Sequence, residues 1–414
     1  MNLKEKIYDL LRWSEKYTKT DMIYLTKGGF WLTLSKMGGM IISFLLAIIW
    51  ARFISKEVYG QYKFIISIAG LLAIFSLPGM ATAITQAVAR GFDRTIKPIV
   101  KTKLKWSVLG VIAGFSLAFY YWWRGNQILA ISFFIVGFLF PLVNSFTVYG
   151  NYLAGKKRFD LQAKYGLTEN FLLALATATA IFLTKNVIYL ILVYFASRAA
   201  LHVFFYLFVL KKIPPSKNID PKAINYGKHL SLMGVLGTIA TNIDKILLFH
   251  FLGATELAIY SFATLIPDQV RSMLKSITEL AFPKFAIKSH KEIKKSITKK
   301  FWRLFILTIL AIIIYILVAP FIYKIFFPQY LASVPYSQFY IFYLIEFPAS
   351  LVGITFLAKM MKKELYWLRI SLLLRTILFI TLIPFFGVWG AVTAMVIERI
   401  FIGSLLILFL FKKF

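Results

Sequence analysis

Cysteine is absent from the 414-residue chain. That excludes a disulfide, a thiolate metal site and a Cys nucleophile, and it leaves no sign of redox compartment. Acidic residues are scarce, with 17 Asp and Glu against 48 Lys and Arg, and there are only 4 His. His202 and His250 have no partner at metal-ligand spacing, so no metal site is expected. No glycine-rich phosphate loop occurs, which removes ATP as an energy source within this chain. Long polar stretches are missing as well. With no nucleophile motif and no acid pair in an extramembrane domain, the chain is not expected to be an enzyme. No cofactor is expected either, beyond Na⁺ or H⁺ as a coupling ion.

Apolar side chains, in contrast, make up 59% of the sequence. They come in repeated blocks, which is membrane composition and not that of a soluble core. A bilayer-spanning helix needs about 20 mostly apolar residues. By that rule twelve spans fall near residues 29–51, 62–86, 104–123, 127–153, 165–184, 187–210, 229–251, 257–283, 301–327, 336–358, 366–385 and 388–411. The expected fold class is an all-α integral membrane protein. The run Tyr120, Tyr121, Trp122 and Trp123 at a span end reads as an interfacial aromatic belt.

Residues 1–26 carry Glu5, Asp9, Arg12, Glu15, Lys16, Lys19 and Asp21 and no apolar core, so they are not a cleavable signal. Leu3, Ile7, Leu10, Leu11 and Tyr17 recur at helical spacing. Either an interfacial amphipathic helix or a frayed tail accounts for them.

The net charge of +31 would suggest nucleic acid in a soluble protein. The location of the bases decides otherwise. One alternate set of loops, with both termini, holds 35 Lys and Arg; the other set holds 6, namely Arg52, Lys56, Lys63, Arg124, Lys185 and Lys324. The positive-inside rule then predicts cytoplasmic termini in a multi-pass protein of the cell membrane. The charge becomes a feature facing cytoplasmic lipid, and nucleic-acid binding is left without motivation.

Pro214, Pro215 and Pro221 mark residues 211–228 as a cytoplasmic linker between two six-helix bundles, 27–210 and 229–414. The halves echo each other. FISKEVYGQY at 53–62 aligns without gaps with FLGATELAIY at 251–260. Both fourth helices carry a proline, Pro141 and Pro348. Each ends in Leu-Ala, Leu153-Ala154 and Leu357-Ala358, ahead of a Lys pair, Lys156-Lys157 and Lys362-Lys363. Six spans per half make the repeat parallel, about an axis along the membrane normal.

The stretch 229–283 reads as two apolar helices with a turn at 251–256. Asp244, Lys245, Asp268, Arg271, Lys275 and Glu279 lie inside its apolar spans. Charges at membrane depth are costly and usually face a protein interior or a wet cavity. Steps of three, four and four keep Asp268, Arg271, Lys275 and Glu279 on one helix face, with Thr264. That face is expected to wall a polar chamber within the membrane.

Several stretches together resemble a known family. They are Lys27-Gly28-Gly29, ARFISKEVYGQY at 51–62, YGNYLAGKKRF at 149–159 and NIDKILLFHFLGATELAIYSFA at 242–263. In order, helix count and length the chain is similar to the polysaccharide flippases of the Wzx type. These belong to the superfamily that also holds drug and toxin extruders and lipid II flippases. The resemblance implies two six-helix bundles around a central V-shaped cavity. It also implies a polyprenyl phosphate- or pyrophosphate-linked oligosaccharide as substrate, turned from the cytoplasmic to the outer leaflet by alternating access. Membrane lipids, and polysaccharide assembly enzymes, would be its partners. Family cations in the first, second and eighth helices are thought to meet the anionic head group; the matching positions are Lys36, Arg90, Arg271 and Lys275.

Arg suits a forked phosphate contact and Lys acts as a point charge. Asp268 and Glu279 either hold Arg271 and Lys275 extended or neutralise them. Asp244, Glu346 and Asp268 are candidate sites for the coupling ion, and Asp244 with Lys245 also reads as a packing pair. Glu169, Arg198, Arg375, Glu398 and Arg399 are expected to form inter-helix ion pairs. Two rival readings remain, a cation-coupled drug extruder of the same superfamily and a membrane glycan polymerase or ligase.

Overall fold

A computed structural model describes residues 22–216, 218–279, 290–359 and 361–413. The proposed helix over residues 1–26 lies outside the described residues as far as residue 21, as does the start of the basic loop after residue 279. The described chain is helical: α1 Met22–Phe53, α2 Lys56–Leu72, α3 Met80–Ala89, α4 Ile96–Trp123, α5 Gln127–Ser145, α6 Val148–Gly155, α7 Phe159–Leu183 and α8 Val187–Lys212. Then come α9 Ala223–Leu252, α10 Ala254–Glu279, α11 His290–Phe326, α12 Val334–Tyr340, α13 Ser350–Ala358 and α14 Lys362–Lys413.

Among the described residues ten helices are long and apolar enough to cross a membrane. One of them, Ile370–Lys412, runs for 43 residues. At 1.5 Å per residue that is about 64 Å, roughly two bilayer cores. It folds back on itself. Gly387 has φ 57 and ψ −130, and a Cβ on Gly390 would lie 2.2 Å from the Leu382 carbonyl oxygen. Ser371 meets Glu398 and Arg375 meets Met395 across the two arms. The two final predicted spans are therefore one hairpin whose reversal needs the left-handed backbone that glycine tolerates. With this helix counted twice and α10 added, every predicted span has its helix. Asp268, Arg271 and Lys275 are what lower the apolarity of α10.

Two predicted spans are broken. The second stops at Leu77-Pro78-Gly79, where Leu77 takes φ 54, before α3 begins. Pro78 disfavours the right-handed helical region at the residue before it. The 3₁₀ turn Ala73–Ser76 leaves carbonyls without helical partners, and Lys103 Nζ donates to Ser76 O at 2.7 Å. Lys103 is only 3% exposed, so this base counted with the loops is in fact a buried cap. The fourth span divides between α5 and α6 at Phe146-Thr147, after Pro141.

The chain divides into two compact units, one of Tyr24–Asn242 and one holding Ile243–Phe414. The division falls inside α9, and residues 211–228 belong to the first unit.

In the first unit α4 packs along α5 through small residues. A Cβ on Gly114 would come within 2.7 Å of Gly137 Cα, so the backbones touch there. Met80, Ile84, Ile99, Tyr152, Phe205 and Val209 fill one core among α3, α4, α6 and α8. The segment after α8 is pinned to the loop before α4. Asp220 N donates to Thr95 Oγ1 at 2.8 Å, Arg94 N to Asn218 O at 3.1 Å, and Ser216 N to Asp93 Oδ2 at 3.4 Å.

In the second unit the buried half of α10 is tied to the end of α11 and the turn after it. Tyr323 donates to Phe262 O at 2.7 Å and Ser333 to Ile259 O at 2.9 Å, while Phe262 and Tyr330 stack at 3.8 Å. The predicted tenth span is a composite. A 3₁₀ helix, Pro328–Ser333, precedes α12. Another, Ile341–Ala349, carries Glu346 and Pro348 and leads into α13.

Candidate functional site

The second unit gathers the charges of α10, the 3₁₀ segment Ile341–Ala349 and α14 into one chain of contacts. It begins at Asp268, which is exposed. Tyr340 and Tyr343 donate to Asp268 Oδ1 at 3.1 and 3.2 Å, and Tyr343 also reaches Pro267 O at 2.9 Å. The two tyrosine rings stack at 4.5 Å. One turn on, the Arg271 guanidinium lies 5.4 Å from the centre of the Tyr343 ring, a cation–π contact. Arg271 Nη2 is 3.8 Å from Glu346 Oε2. The same oxygen lies 3.2 Å from Arg399 Nη1, and Arg399 Nε lies 3.1 Å from Glu398 Oε2.

Charge alternates along this series, and openness falls along it. The Arg271 side chain is 35% exposed, Glu346 14%, Arg399 10% and Glu398 1%. Coulomb attraction is weak where water reaches and stronger where it does not. The inner members, Glu346, Arg399 and Glu398, are therefore a structural network. Arg271 is the most exposed of the four.

Asp244 is buried beside this region. Tyr260 donates to its Oδ2 at 2.7 Å, and Lys245 Nζ is 3.3 Å away. Asp268 and Arg271, one turn apart on α10, both contact Tyr343. Glu346, a coupling-ion candidate by sequence, sits between two guanidiniums. The partner of Arg271 is Glu346 on the facing segment, while Asp268 is held by tyrosines. Lys275 is exposed at the end of the same helix. Tyr260, Tyr340 and Tyr343 were missed, although the three-residue spacing of Tyr340, Tyr343 and Glu346 was visible.

The other expected inter-helix ion pairs take different forms. Arg375 Nη1 contacts Met395 Sδ at 3.9 Å, and Glu398 pairs with its neighbour Arg399. In the first unit Arg198 is bonded to Tyr194 one turn away. Glu169 receives Tyr149 and lies 2.7 Å from His202 Nε2, whose Nδ1 is 2.6 Å from Val143 O. Lys36 is exposed on α1. Arg90 forms an ion pair with Asp220, with its own side chain 60% exposed and that of Asp220 6%. Lys156 pairs with Asp93.

Comparison with known proteins agrees with this architecture. The model of the family described as polysaccharide biosynthesis protein matches residues 25–287. Among solved structures, the lipid II flippase MurJ in an inward closed conformation is similar at TM-score 0.65 and 16% identity, over 92% of this chain and 87% of that one. A MATE transporter solved in complex with MaD5 aligns at TM-score 0.64 and 13% identity, over 94% and 95%. A MOP superfamily transporter from Pyrococcus furiosus, described as having a binding pocket of reverse polarity, aligns at TM-score 0.62 and 15% identity, over 94% and 97%. No curated protein matches. At such identities the structures establish the fold alone, and the family model covers well over half of the sequence. The chain is therefore a multi-pass membrane protein that belongs to the polysaccharide biosynthesis protein family.

Proposed function

We propose that the protein flips a polyprenyl phosphate- or pyrophosphate-linked oligosaccharide across the cell membrane. Transfer runs from the cytoplasmic to the outer leaflet by alternating access, with both termini in the cytoplasm. The observation that carries this reading is Arg271, half-open on a membrane helix and held extended by Glu346 and Tyr343. A phosphate entering a bilayer needs a cation to replace water, and a guanidinium offers it two parallel donors. Family membership and the likeness in fold to a lipid II flippase support the same reading. Lys275, on the same helix, is a further head-group contact; Lys36 and Arg90 rest on the family resemblance alone. Bound assembly enzymes would supply the substrate.

With no nucleotide motif in the chain, an ion gradient or the membrane potential drives turnover. Of the three acids proposed for Na⁺ or H⁺, Asp268 is the best placed. It is exposed, and among the described residues its side-chain donors are the hydroxyls of Tyr340 and Tyr343, whereas Glu346 lies between two guanidiniums and Asp244 beside Lys245.

The test is reconstitution of the full chain in vesicles with a fluorescent polyprenyl diphosphate oligosaccharide. The expected result is chemical quenching of label in both leaflets, above protein-free vesicles. Extrusion of cationic dyes without movement of this lipid would favour the drug extruder and overturn the flippase.

A further inference from the structure

Outside the charged chain, the first unit holds a cleft of about 600 Å³ lined by Arg94, Lys97, Tyr206, Leu207, Lys211 and Pro214, among others. Its three cations come from three places: the loop before α4, the first turn of α4 and the last turn of α8. Among the described residues none of the three has a carboxylate within ion-pair distance, because the nearby acids are taken. Asp93 is paired with Lys156 and Asp220 with Arg90. Tyr206 is 8% exposed, and among the described residues its hydroxyl has no hydrogen-bond partner. The cleft thus presents three uncompensated cations and an idle hydroxyl donor to one space. Its wall is fixed, since Ser216 is bonded to Asp93 and Gly91 and Arg94 N to Asn218 O.

One rim of the cleft is apolar. Leu207 and Leu210 of α8 line it, Leu207 stands 59% exposed, and Phe204 and Phe208 on the same helix stand 58% and 39% exposed; the helix is long and apolar enough to cross a membrane. An anion with no hydrocarbon would use the cations and leave this rim idle. A lipid would use both, with its phosphates at Arg94, Lys97 and Lys211 and its chains along α8.

We propose that this cleft is a binding site for an anionic phospholipid of the surrounding bilayer. Three cations exceed the charge of one phosphodiester, so a lipid with two phosphates binds more tightly than a lipid with one. The site does not depend on the flippase reading.

Native mass spectrometry of the delipidated full chain, titrated with cardiolipin, phosphatidylglycerol and phosphatidylcholine, tests this. The expected order of retention is cardiolipin, then phosphatidylglycerol, then phosphatidylcholine. The triple variant Arg94→Gln, Lys97→Gln, Lys211→Gln should weaken cardiolipin binding by about a hundredfold. An equal loss of charge at exposed positions outside the cleft, Lys105→Gln, Lys164→Gln, Lys222→Gln, should change it by less than about threefold. Tyr206→Phe, which leaves every charge in place, should weaken it by about fivefold. If the triple variant fails to run as a single monodisperse species, Lys97→Gln alone is read, with a loss of about fivefold expected. Equal losses in the two triple variants would overturn the proposal. So would displacement of cardiolipin by millimolar inorganic phosphate, which would make the cleft a free-anion site.

Discussion

Arg271 and Arg399 contact the same glutamate, and their contributions should separate cleanly. Arg271→Ala removes a 3.8 Å ion pair and a cation–π contact from a side chain 35% exposed. Contacts in such a setting stabilise by about 1 kcal/mol together. Asp268 is not stranded by the change, since Tyr340 and Tyr343 hold it, and Glu346 keeps Arg399 at 3.2 Å. Arg399→Ala leaves Glu346 only the 3.8 Å contact to Arg271 and removes the 3.1 Å partner of Glu398, whose side chain is 1% exposed. Leaving a buried carboxylate uncompensated costs about 3–5 kcal/mol. At about 2–4 °C per kcal/mol for a unit of this size, Arg271→Ala should lower Tm by about 2–4 °C and Arg399→Ala by about 10 °C. Thermal unfolding in detergent, followed by intrinsic fluorescence, measures both. The order should reverse for transport. Losing one charge-assisted phosphate contact of about 1.5–3 kcal/mol slows flipping about ten- to a hundredfold, and Arg271→Lys should recover part of it. The reasoning fails if Arg271→Ala melts as early as Arg399→Ala. It also fails if the Arg271→Ala protein, at normal abundance, flips substrate at the parental rate.

Three further outcomes are expected. Single cysteines introduced at Asn126 and Lys294 should label from opposite sides of intact cells, Asn126 from outside only; equal labelling of both would break the topology. Flipping in sealed vesicles should slow when an inside-negative potential is collapsed, because the potential is worth about 2.3 kcal/mol per charge per 100 mV; unchanged rates with potential and ion gradients both dissipated would exclude this coupling. Gly390→Ala places a methyl 2.2 Å from Leu382 O, so it should destabilise the α14 hairpin by about 1–3 kcal/mol; a parental melting temperature would show that the hairpin opens without cost.

Helix positions were legible because apolarity over about 20 residues is a property of local sequence. The breaks were less so. Pro78 interrupted its span, whereas Pro141 and Pro320 sit inside continuous helices, and neighbours decide which outcome a proline has. Lys103 shows the same limit. As a base near a span end it reads as a loop residue, and only the orphaned carbonyl of Ser76 makes it a buried donor. Helical spacing placed Asp268 and Arg271 on one face, but no periodicity links Arg271 to Glu346, which lies 75 positions on. The tyrosines around Asp268 were hidden for a related reason. In a chain with 22 Tyr, type alone does not separate a hydroxyl that holds a carboxylate from one in a membrane belt.

The tight winding of Ile341–Ala349 has a mechanical consequence. With three residues per turn, Tyr340, Tyr343 and Glu346 stand in a single vertical row. That row lets two of them grip Asp268 while the third spans Arg271 and Arg399. An ordinary α-turn would swing each member by about 60° from the last, so Glu346 would point about 120° away from Tyr340. The segment would also contract, since nine residues rise about 18 Å in the tight form and about 13.5 Å in the relaxed one. Relaxation would therefore act as a stroke of about 4.5 Å coupled to a twist. It would uncouple the grip on the acid from the grip on the bases in one movement.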